Sequence, residues 1–354
     1  MRSEGLKDTA PVRPGEELDL EALARYLQGK LEGIENGLAL EQFPGGHSNL
    51  TYLLRAGDHE YVLRRAPFGP VAPRAHDMAR EYRVLRAVHP HFPAAPKPLL
   101  LCEDSSVIGA VFYLMERRRG VVLRSSIPPE FAVLPDYARR LSQAFVHCLV
   151  DLHGVDVEAH GLVALGKPEG FIERQVRGWA DRWRRAQTEE KPEMEAVVRY
   201  LETHIPAEGQ PALVHNDFKL DNLMFRPGNP DQVEAVLDWE MATVGDPLVD
   251  LGLTLCYWDP PDAEIVAGPV PCLTRGPGWY TRQQLIEAYA QRTGRNLEAL
   301  PFHEILGMFK LAVIIQQIYY RWFKGQTRDE RFAQFHLRVD SLVRAAWERV
   351  QQLA

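Results

Sequence analysis

The feature that most constrains this chain is a polar loop between two apolar runs within residues 213–225. Leu213-Val214 predicts a short strand, and Leu223-Met224-Phe225 predicts another directly after the loop. The first strand is therefore expected to deliver the whole loop to one place. The loop carries His215, Asp217, Lys219 and Asn222.

These residue types are the ones that phosphoryl transfer requires. The reaction needs a group that accepts or orients the proton of an incoming hydroxyl, oxygen ligands for Mg²⁺, and a cation near the moving phosphoryl group. Asp217, Asn222 and Lys219 can fill these three roles from one loop. Turn formation alone would explain Asp217 and Asn222, but it does not explain Lys219. We expect His215 to hold the backbone geometry of the loop.

A further acid lies after the apolar run Val236-Leu237, in the segment Asp238-Trp239-Glu240. An acid directly after a strand can bind a Mg²⁺ ion that bridges nucleotide phosphates, because Mg²⁺ combines few protein carboxylates with phosphate oxygens. Asp238 is therefore predicted to be a second metal ligand beside Asn222.

The pattern His215-x-Asp217-x-Lys219-x-x-Asn222, followed by Asp238, resembles the catalytic loop and metal-binding aspartate of the protein-kinase-like superfamily. Asp-Trp-Glu in place of Asp-Phe-Gly resembles the aminoglycoside phosphotransferase and choline kinase branch. Together with Gly245-Asp246-Pro247-Leu248-x-Asp250-Leu251, it resembles most the kinase domain linked to acyl-CoA dehydrogenases, from about residue 20 to the C-terminus. The resemblance implies that Asp217 and Lys219 are catalytic, and that Asn222 and Asp238 bind Mg²⁺.

The resemblance also implies that the N-terminal part binds ATP or GTP. The segment 43–51 contains Gly45, Gly46 and Ser48. Paired glycines let the backbone approach phosphates, and the serine hydroxyl can donate to their oxygens. Most Gly-Gly loops are turns, and this one departs from the pattern Gly-x-Gly-x-x-Gly. The prediction that it binds phosphates therefore rests on its position before the third strand.

A cation and an acid complete the predicted phosphate site. Protein kinases place a lysine on the third strand, and this sequence has Arg64 there. Arginine is a permanent cation that binds phosphate with two N–H groups, but it is not equivalent to lysine. Glu81 lies beside the apolar stripe of a helix predicted over Arg74–Val88, and we expect it to pair with Arg64. A solvated surface glutamate is the alternative.

Residues 111–120 resemble the segment that joins the two lobes of a kinase. The resemblance implies that Met115 lines the adenine pocket. It also implies that the backbone of Glu116 and Arg118 hydrogen-bonds the base.

The predicted fold class is α+β, a bilobal protein-kinase-like fold. An N-terminal antiparallel sheet of five strands holds one inserted helix, and a mainly helical lobe follows. The hairpin signal at 56–59 supports the sheet. We expect Asp246 to cap a helix that begins at Pro247, and Asp250 to support the catalytic loop. The predicted divisions are a mobile leader at 1–18, a nucleotide-binding lobe at 19–116, and a catalytic and substrate lobe at 117–354.

Composition limits the partners. A net charge of −7 argues against general nucleic-acid binding. No apolar run approaches the ~20 residues of a membrane span, so no membrane partner is expected. The four cysteines lie far apart, without zinc-ligand spacing or a disulfide framework, which favours a reduced cytoplasm. A homodimer is compatible with the sequence.

The predicted acceptor is a small molecule with a hydroxyl. Antibiotic kinases need acidic pockets for polycations, whereas residues 171–183 are aromatic and basic. The resemblance to the acyl-CoA dehydrogenase-linked kinases suggests a hydroxyacyl-CoA-like metabolite. Two alternatives stay open: an aminoglycoside-type antibiotic kinase, and a nucleotide-binding pseudokinase module. A protein kinase is disfavoured because no Ala-Pro-Glu segment follows Asp238.

Overall fold

A computed structural model describes residues 8–44, 49–68, 76–259, 273–327 and 329–353. The described chain divides into two compact units. The first runs to Arg119 and also takes Ala235–Met241, and the second holds Gly120–Glu234 and the chain from Ala242 onward. The predicted division has a single boundary after residue 116. In the structure the boundary follows Arg119, and the later segment Ala235–Met241 also belongs to the first unit.

The first unit is built on a sheet that has five strands within the described residues. They are β1 (Leu38–Gln42), β2 (Leu50–Ala56), β3 (His59–Arg65), β4 (Pro98–Cys102) and β5 (Phe112–Glu116). Their order is β1-β2-β3-β5-β4, with antiparallel pairing throughout. Gly57, at φ 59°, makes the tight turn of the β2–β3 hairpin possible. The predicted sheet and hairpin are confirmed.

The described part of the first unit also holds two helices. The helix α1 (Leu20–Leu27) begins after Asp19, whose side chain accepts a hydrogen bond from the amide of Ala22. The inserted helix α2 is Met78–Val88, so the predicted start at Arg74 is wrong. Asp77 caps α2 by accepting from the amide of Arg80. Residues 69–75 lie outside the described part of the chain.

The described part of the predicted leader, residues 8–18, is anchored to the sheet. The backbones of Ala10 and Gln42 exchange two hydrogen bonds of 2.9 and 2.8 Å. The Gln42 side chain also donates to Glu16. Residues 1–7 lie outside the described residues.

The second unit is mainly helical. Two short sheets join β7 (Ala212–Val214) to β10 (Thr243–Gly245), and β6 (Val121–Val122) to β8 (Leu223–Arg226) and β9 (Asn229–Val236). The helices within the described residues are α3 (Pro129–Ala132), α4 (Tyr137–His153), α5 (Phe171–Ala186), α6 (Pro192–Thr203), α7 (Leu248–Tyr257), α8 (Arg282–Thr293), α9 (Leu300–Phe323) and α10 (Phe335–Leu353). None of the described helices is both long and apolar enough to cross a bilayer.

Two glycines let α7 and α9 pack closely. A Cβ atom added to Gly252 would lie 2.3 Å from the carbonyl oxygen of His303. One added to Gly307 would lie 2.9 Å from the carbonyl oxygen of Gly252. Any larger residue would push backbone against backbone, so these glycines set the separation of the two helices.

Candidate active site

The polar loop lies between β7 and β8, as the sequence predicted. A single 3₁₀ turn, Leu220–Asn222, ends the loop and leads into β8. Asp221 lies in this turn. Asn216 has a left-handed backbone with φ 66°, which costs energy for a residue with a side chain. Surrounding groups must therefore hold it in place.

Asp250 on α7 holds the loop from one side. Its two carboxylate oxygens accept from the backbone amides of His215 and Asn216, each at 2.6 Å. Burial acts to raise the pKa of Asp250, but hydrogen bonds and charge from His153 and His215 outweigh burial and lower it. His153 lies 3.2 Å from the same carboxylate. The predicted supporting role of Asp250 is confirmed.

The expected start of α7 is off by one residue. The helix begins at Leu248, and Pro247 is the residue before it. Asp246 still accepts from the amide of Leu248 at 2.8 Å. Asp246 therefore still bonds to an amide at the start of the helix, but it lies two positions before the first helical residue, where the prediction had one.

Asp217 is the centre of a polar cluster. Its Oδ2 lies 2.9 Å from Nζ of Lys219 and accepts from Nδ2 of Asn222 at 3.0 Å. Its Oδ1 accepts from the hydroxyl of Tyr257 at 3.2 Å. The side chain is 22% exposed, so an outside molecule can reach it. The structure thus brings Asp217, Lys219 and Asn222 together, and it adds Tyr257, which sequence reasoning missed.

Sequence reasoning could have found Tyr257 from its spacing. It lies on the same predicted helix as Asp250, seven positions further along, and residues at that spacing share one face of a helix.

A second polar cluster lies in the first unit. Nη1 of Arg64, on β3, donates to Glu81 at 2.6 Å, and Nη2 donates to Asp238 at 3.0 Å. The predicted pairing of Arg64 with Glu81 is confirmed, and the alternative of a solvated glutamate is wrong because Glu81 is fully buried. Burial raises the pKa of Glu81 to about 7, and the Arg64 guanidinium opposes this rise.

The Asp238-Trp239-Glu240 segment is fixed at each residue. Asp238 has a left-handed backbone with φ 66°. The amide of Trp239 donates to Glu81 at 3.2 Å. The Glu240 carboxylate accepts from Asn49 at 2.9 Å, and its carbonyl accepts from Arg80 at 2.5 Å. Sequence reasoning did not single out Asn49 or Arg80, because their partners lie far away along the chain.

The donor set fits magnesium. Asn222 offers an amide oxygen and Asp238 a carboxylate, and hard oxygen ligands are those that Mg²⁺ prefers. Nδ2 of Asn222 is turned to Asp217, so Oδ1 is the atom that the predicted metal role would use. The two residues belong to different units, and their shared role as metal ligands stays a prediction.

The predicted base-binding residues lie on β5 and just after it. Met115 is buried. The amide of Glu116 donates to the carbonyl of Lys97 at 2.9 Å, so this amide is already bonded within the protein. The Arg118 side chain donates to Glu116 and to the carbonyl of Pro93. Their contacts with a nucleotide stay predictions. Gly45, Gly46 and Ser48 lie outside the described residues.

The aromatic and basic segment on α5 is partly core. Trp179 and Trp183 are buried, and the Arg182 guanidinium lies 4.3 Å from the centre of the Trp179 ring. Helix packing accounts for both tryptophans, so neither is offered to an acceptor.

Comparison with known proteins decides the family. The sequence model described as "APH: Phosphotransferase enzyme family" matches residues 39–299, more than half of the chain. This chain belongs to the APH phosphotransferase family. The predicted resemblance to that family is therefore confirmed.

Curated relatives of this phosphotransferase are longer proteins. Acyl-CoA dehydrogenase family member 10 of Mus musculus is 35% identical over 347 residues, which cover 97% of this chain and 32% of the mouse protein. Acyl-CoA dehydrogenase family member 11 of Homo sapiens is 34% identical over 340 residues, covering 92% and 42%. The chain thus spans less than half the length of each.

Solved structures share the fold of this phosphotransferase. The crystal structure of a proposed aminoglycoside phosphotransferase from Ralstonia eutropha JMP134 superposes with a TM-score of 0.80 at 32% identity, covering 95% of this chain and 99% of that one. Aminoglycoside phosphotransferase APH(4)-Ia, in a ternary complex with AMP-PNP and hygromycin B, gives 0.57 at 18% identity, covering 92% and 98%. The predicted α+β fold, an antiparallel sheet followed by a mainly helical region, is confirmed.

Proposed function

We propose that this phosphotransferase moves the γ-phosphate of Mg²⁺-bound ATP to a hydroxyl of a small molecule. The observation that carries the proposal is the Asp217 cluster, in which a carboxylate, a lysine and an amide oxygen ligand come from one loop. A module that only binds nucleotide does not need all three, so the pseudokinase alternative is the weaker one.

Each residue has a distinct role in the proposed reaction. Asp217 accepts or orients the proton of the acceptor hydroxyl, and the oxygen of that hydroxyl forms the new bond to phosphorus. The bond from the γ-phosphorus to the bridging oxygen breaks, and ADP leaves. Lys219 balances the charge of the transferred phosphoryl group. Bound Mg²⁺ would neutralise charge on the phosphates, with Asn222 and Asp238 as its protein ligands.

On the nucleotide side, the proposal assigns Arg64 to the phosphates. Glu81 fixes one end of the guanidinium at 2.6 Å, so the cation is oriented before a nucleotide arrives. Gly45, Gly46 and Ser48 would cover the phosphates, and Met115, Glu116 and Arg118 would hold the base. GTP is the alternative donor.

For the acceptor we propose a hydroxyacyl-CoA-like metabolite. The support is that the curated relatives are acyl-CoA dehydrogenase family members, and that arginines on α5 would suit the phosphates of CoA. A second candidate is an aminoglycoside-type antibiotic, because the Ralstonia eutropha structure carries that description.

One experiment separates these candidates. The protein is incubated with MgATP and, separately, with hydroxyacyl-CoAs of different chain length and with aminoglycosides. Mass spectrometry then reads the gain of one phosphoryl group. We expect a phosphorylated hydroxyacyl-CoA that Asp217→Asn does not form. Phosphorylation of an aminoglycoside alone would favour the second candidate, and nucleotide binding without any product would favour the pseudokinase.

A further inference from the structure

A buried lysine on α9 bonds to the same loop that Asp250 holds. Lys310 is 2% exposed, and its Nζ donates to the carbonyl oxygen of Asn216 at 2.7 Å. Asn216 is the residue whose amide donates to Asp250. The backbone amide of the left-handed residue Asn216 is thus bonded to a buried carboxylate, and its backbone carbonyl is bonded to a buried ammonium.

A buried ammonium is costly, since burial disfavours its charged form. Burial lowers the pKa of Lys310 to about 8. The carboxylates of Asp217 and Asp250 oppose this shift, whereas Arg182 and Lys219 add to it. Packing alone does not call for this charge, because an apolar side chain of similar length would fill the same space without the cost of burying an ammonium. The hydrogen bond to the loop is the remaining explanation for a lysine.

The packing of α9 aims Lys310 at the loop. Gly307, which lies one turn before Lys310 on α9, meets Gly252 of α7 at backbone contact. This contact brings α9 close to the helix that carries Asp250. The Trp179 ring lies 5.7 Å from Nζ and helps to confine the side chain.

We propose that Lys310 is a positioning residue for phosphoryl transfer, which fixes the Asn216 carbonyl and thereby the direction of the adjoining Asp217 carboxylate. This inference rests on the proposed function. The bond from Asp250 holds the amide of Asn216 and does not reach the peptide plane between Asn216 and Asp217. With the carbonyl bonded to Lys310, that plane is set, and Asp217 meets Lys219 and Tyr257 in one orientation.

The test compares Lys310→Met with Lys324→Met, which changes an exposed lysine directly after the same helix. The measurements are the melting temperature, the KM for MgATP and kcat from ADP release with water as acceptor, and hydrogen exchange of the peptide that covers residues 213–224. We expect Lys310→Met to melt at or above the wild-type temperature and to keep KM within about threefold. We expect kcat to fall roughly 10-fold to 100-fold, because a catalytic group displaced by ~1 Å costs on that order, and the loop amides to exchange faster. Lys324→Met should match the wild type.

Two further outcomes keep the inference separate from the proposed function. Wild-type kcat should decline as pH rises through about 8, and this decline should be absent in Lys310→Met. If the wild-type protein releases no ADP, the proposed function fails, and loop exchange alone decides the role of Lys310. Unchanged loop exchange in Lys310→Met, or a parallel fall in melting temperature and kcat, would overturn the inference.

Discussion

At the scale of single residues, Asp217 is held by three neighbours of different chemistry. Lys219 lies 2.9 Å away, Asn222 donates at 3.0 Å, and the Tyr257 hydroxyl donates at 3.2 Å. The cation and the two donors bond to the carboxylate oxygens and fix the direction of the side chain. In the proposed reaction, the carboxylate therefore meets the acceptor hydroxyl without rearranging.

The first prediction concerns the charge of Asp217. Asp217→Asn keeps the shape of the side chain and removes the proton acceptor. We expect kcat to fall about 10²–10⁴-fold, while calorimetry shows unchanged MgATP affinity, because Asp217 need not contact the nucleotide. Asp231→Asn, an exposed aspartate paired with Arg140, is the matched control and should keep its rate. A kcat above a tenth of the wild-type value would exclude Asp217 as the base.

The second prediction is a pH dependence of stability. The pKa of Lys310 is about 8 in the folded chain against an ordinary 10.5. Between these values the unfolded chain holds a proton that the folded chain has lost, so the free energy of unfolding should rise with pH. Relative to Lys310→Met, wild-type stability should therefore gain about 1–3 kcal/mol from pH 7 to pH 10. Urea unfolding at several pH values measures the difference in the free energy of unfolding between the wild type and Lys310→Met. A difference that does not change with pH would contradict the lowered pKa of Lys310.

The sequence predicted single residues well where the partners lie in one short motif. Asp217, Lys219 and Asn222 were found because six consecutive positions contain all three, and Asp250 because its motif follows closely. Lys310 was not found. It lies in an apolar helix and bonds to a carbonyl 94 positions away, and a backbone carbonyl leaves no signature in the sequence.

At the scale of elements, α7 and α9 together position the loop. α7 carries Asp250, Thr254 and Tyr257, of which Thr254 donates to the carbonyl of Phe218 at 2.8 Å. α9 carries Lys310. The distance between these helices therefore determines where four supporting side chains meet the loop.

The third prediction concerns that distance. In Gly252→Ala the new methyl group would meet the backbone of His303 at 2.3 Å, so the helices must shift apart. We expect a loss of roughly 1–3 kcal/mol in the free energy of unfolding, with kcat falling at a temperature where the variant is still folded. Gly209→Ala, where nothing lies within 4 Å of the added atom, should change neither. Wild-type activity in folded Gly252→Ala would mean that the helix spacing does not control the loop.

Element boundaries were predictable where local signals mark them. The β2–β3 hairpin followed from two predicted strand segments that flank a Gly-Asp turn. The start of α2 did not, because Asp77 caps the helix and polar residues before it fit a helical pattern equally well. The Gly252–Gly307 contact had no local signal, since a glycine in an apolar helix shows neither its partner nor how closely that partner approaches.

At the scale of the whole molecule, the chain resembles part of longer proteins. The curated relatives named above are acyl-CoA dehydrogenase family members, and each is more than twice as long as this chain. The fold was predictable because sheet and helix periodicities separate cleanly along the sequence. The acceptor was not, because the residues that would bind it form no compact motif.

The fourth prediction is stabilisation by the metal–nucleotide complex. A ligand at 100 times its Kd adds about 2.7 kcal/mol to the free energy of unfolding, so MgATP should raise the melting temperature. EDTA should remove most of this rise, and Asp238→Asn should abolish it. Asp58→Asn, in the exposed turn of the β2–β3 hairpin, should behave as the wild type. An undiminished rise in Asp238→Asn would exclude Asp238 as a metal ligand.

The bond between Arg64 and Asp238 bears on the order in which ligands bind. The guanidinium of Arg64 lies 3.0 Å from the aspartate and balances its charge. Free Mg²⁺ must therefore compete with an internal cation, and we expect it to bind weakly when added alone. A nucleotide brings phosphates that can bind the Arg64 guanidinium in place of Asp238 and so release the Asp238 carboxylate. Arg64 would then make magnesium uptake conditional on nucleotide, so that metal and nucleotide enter as a complex and bare metal stays in solution.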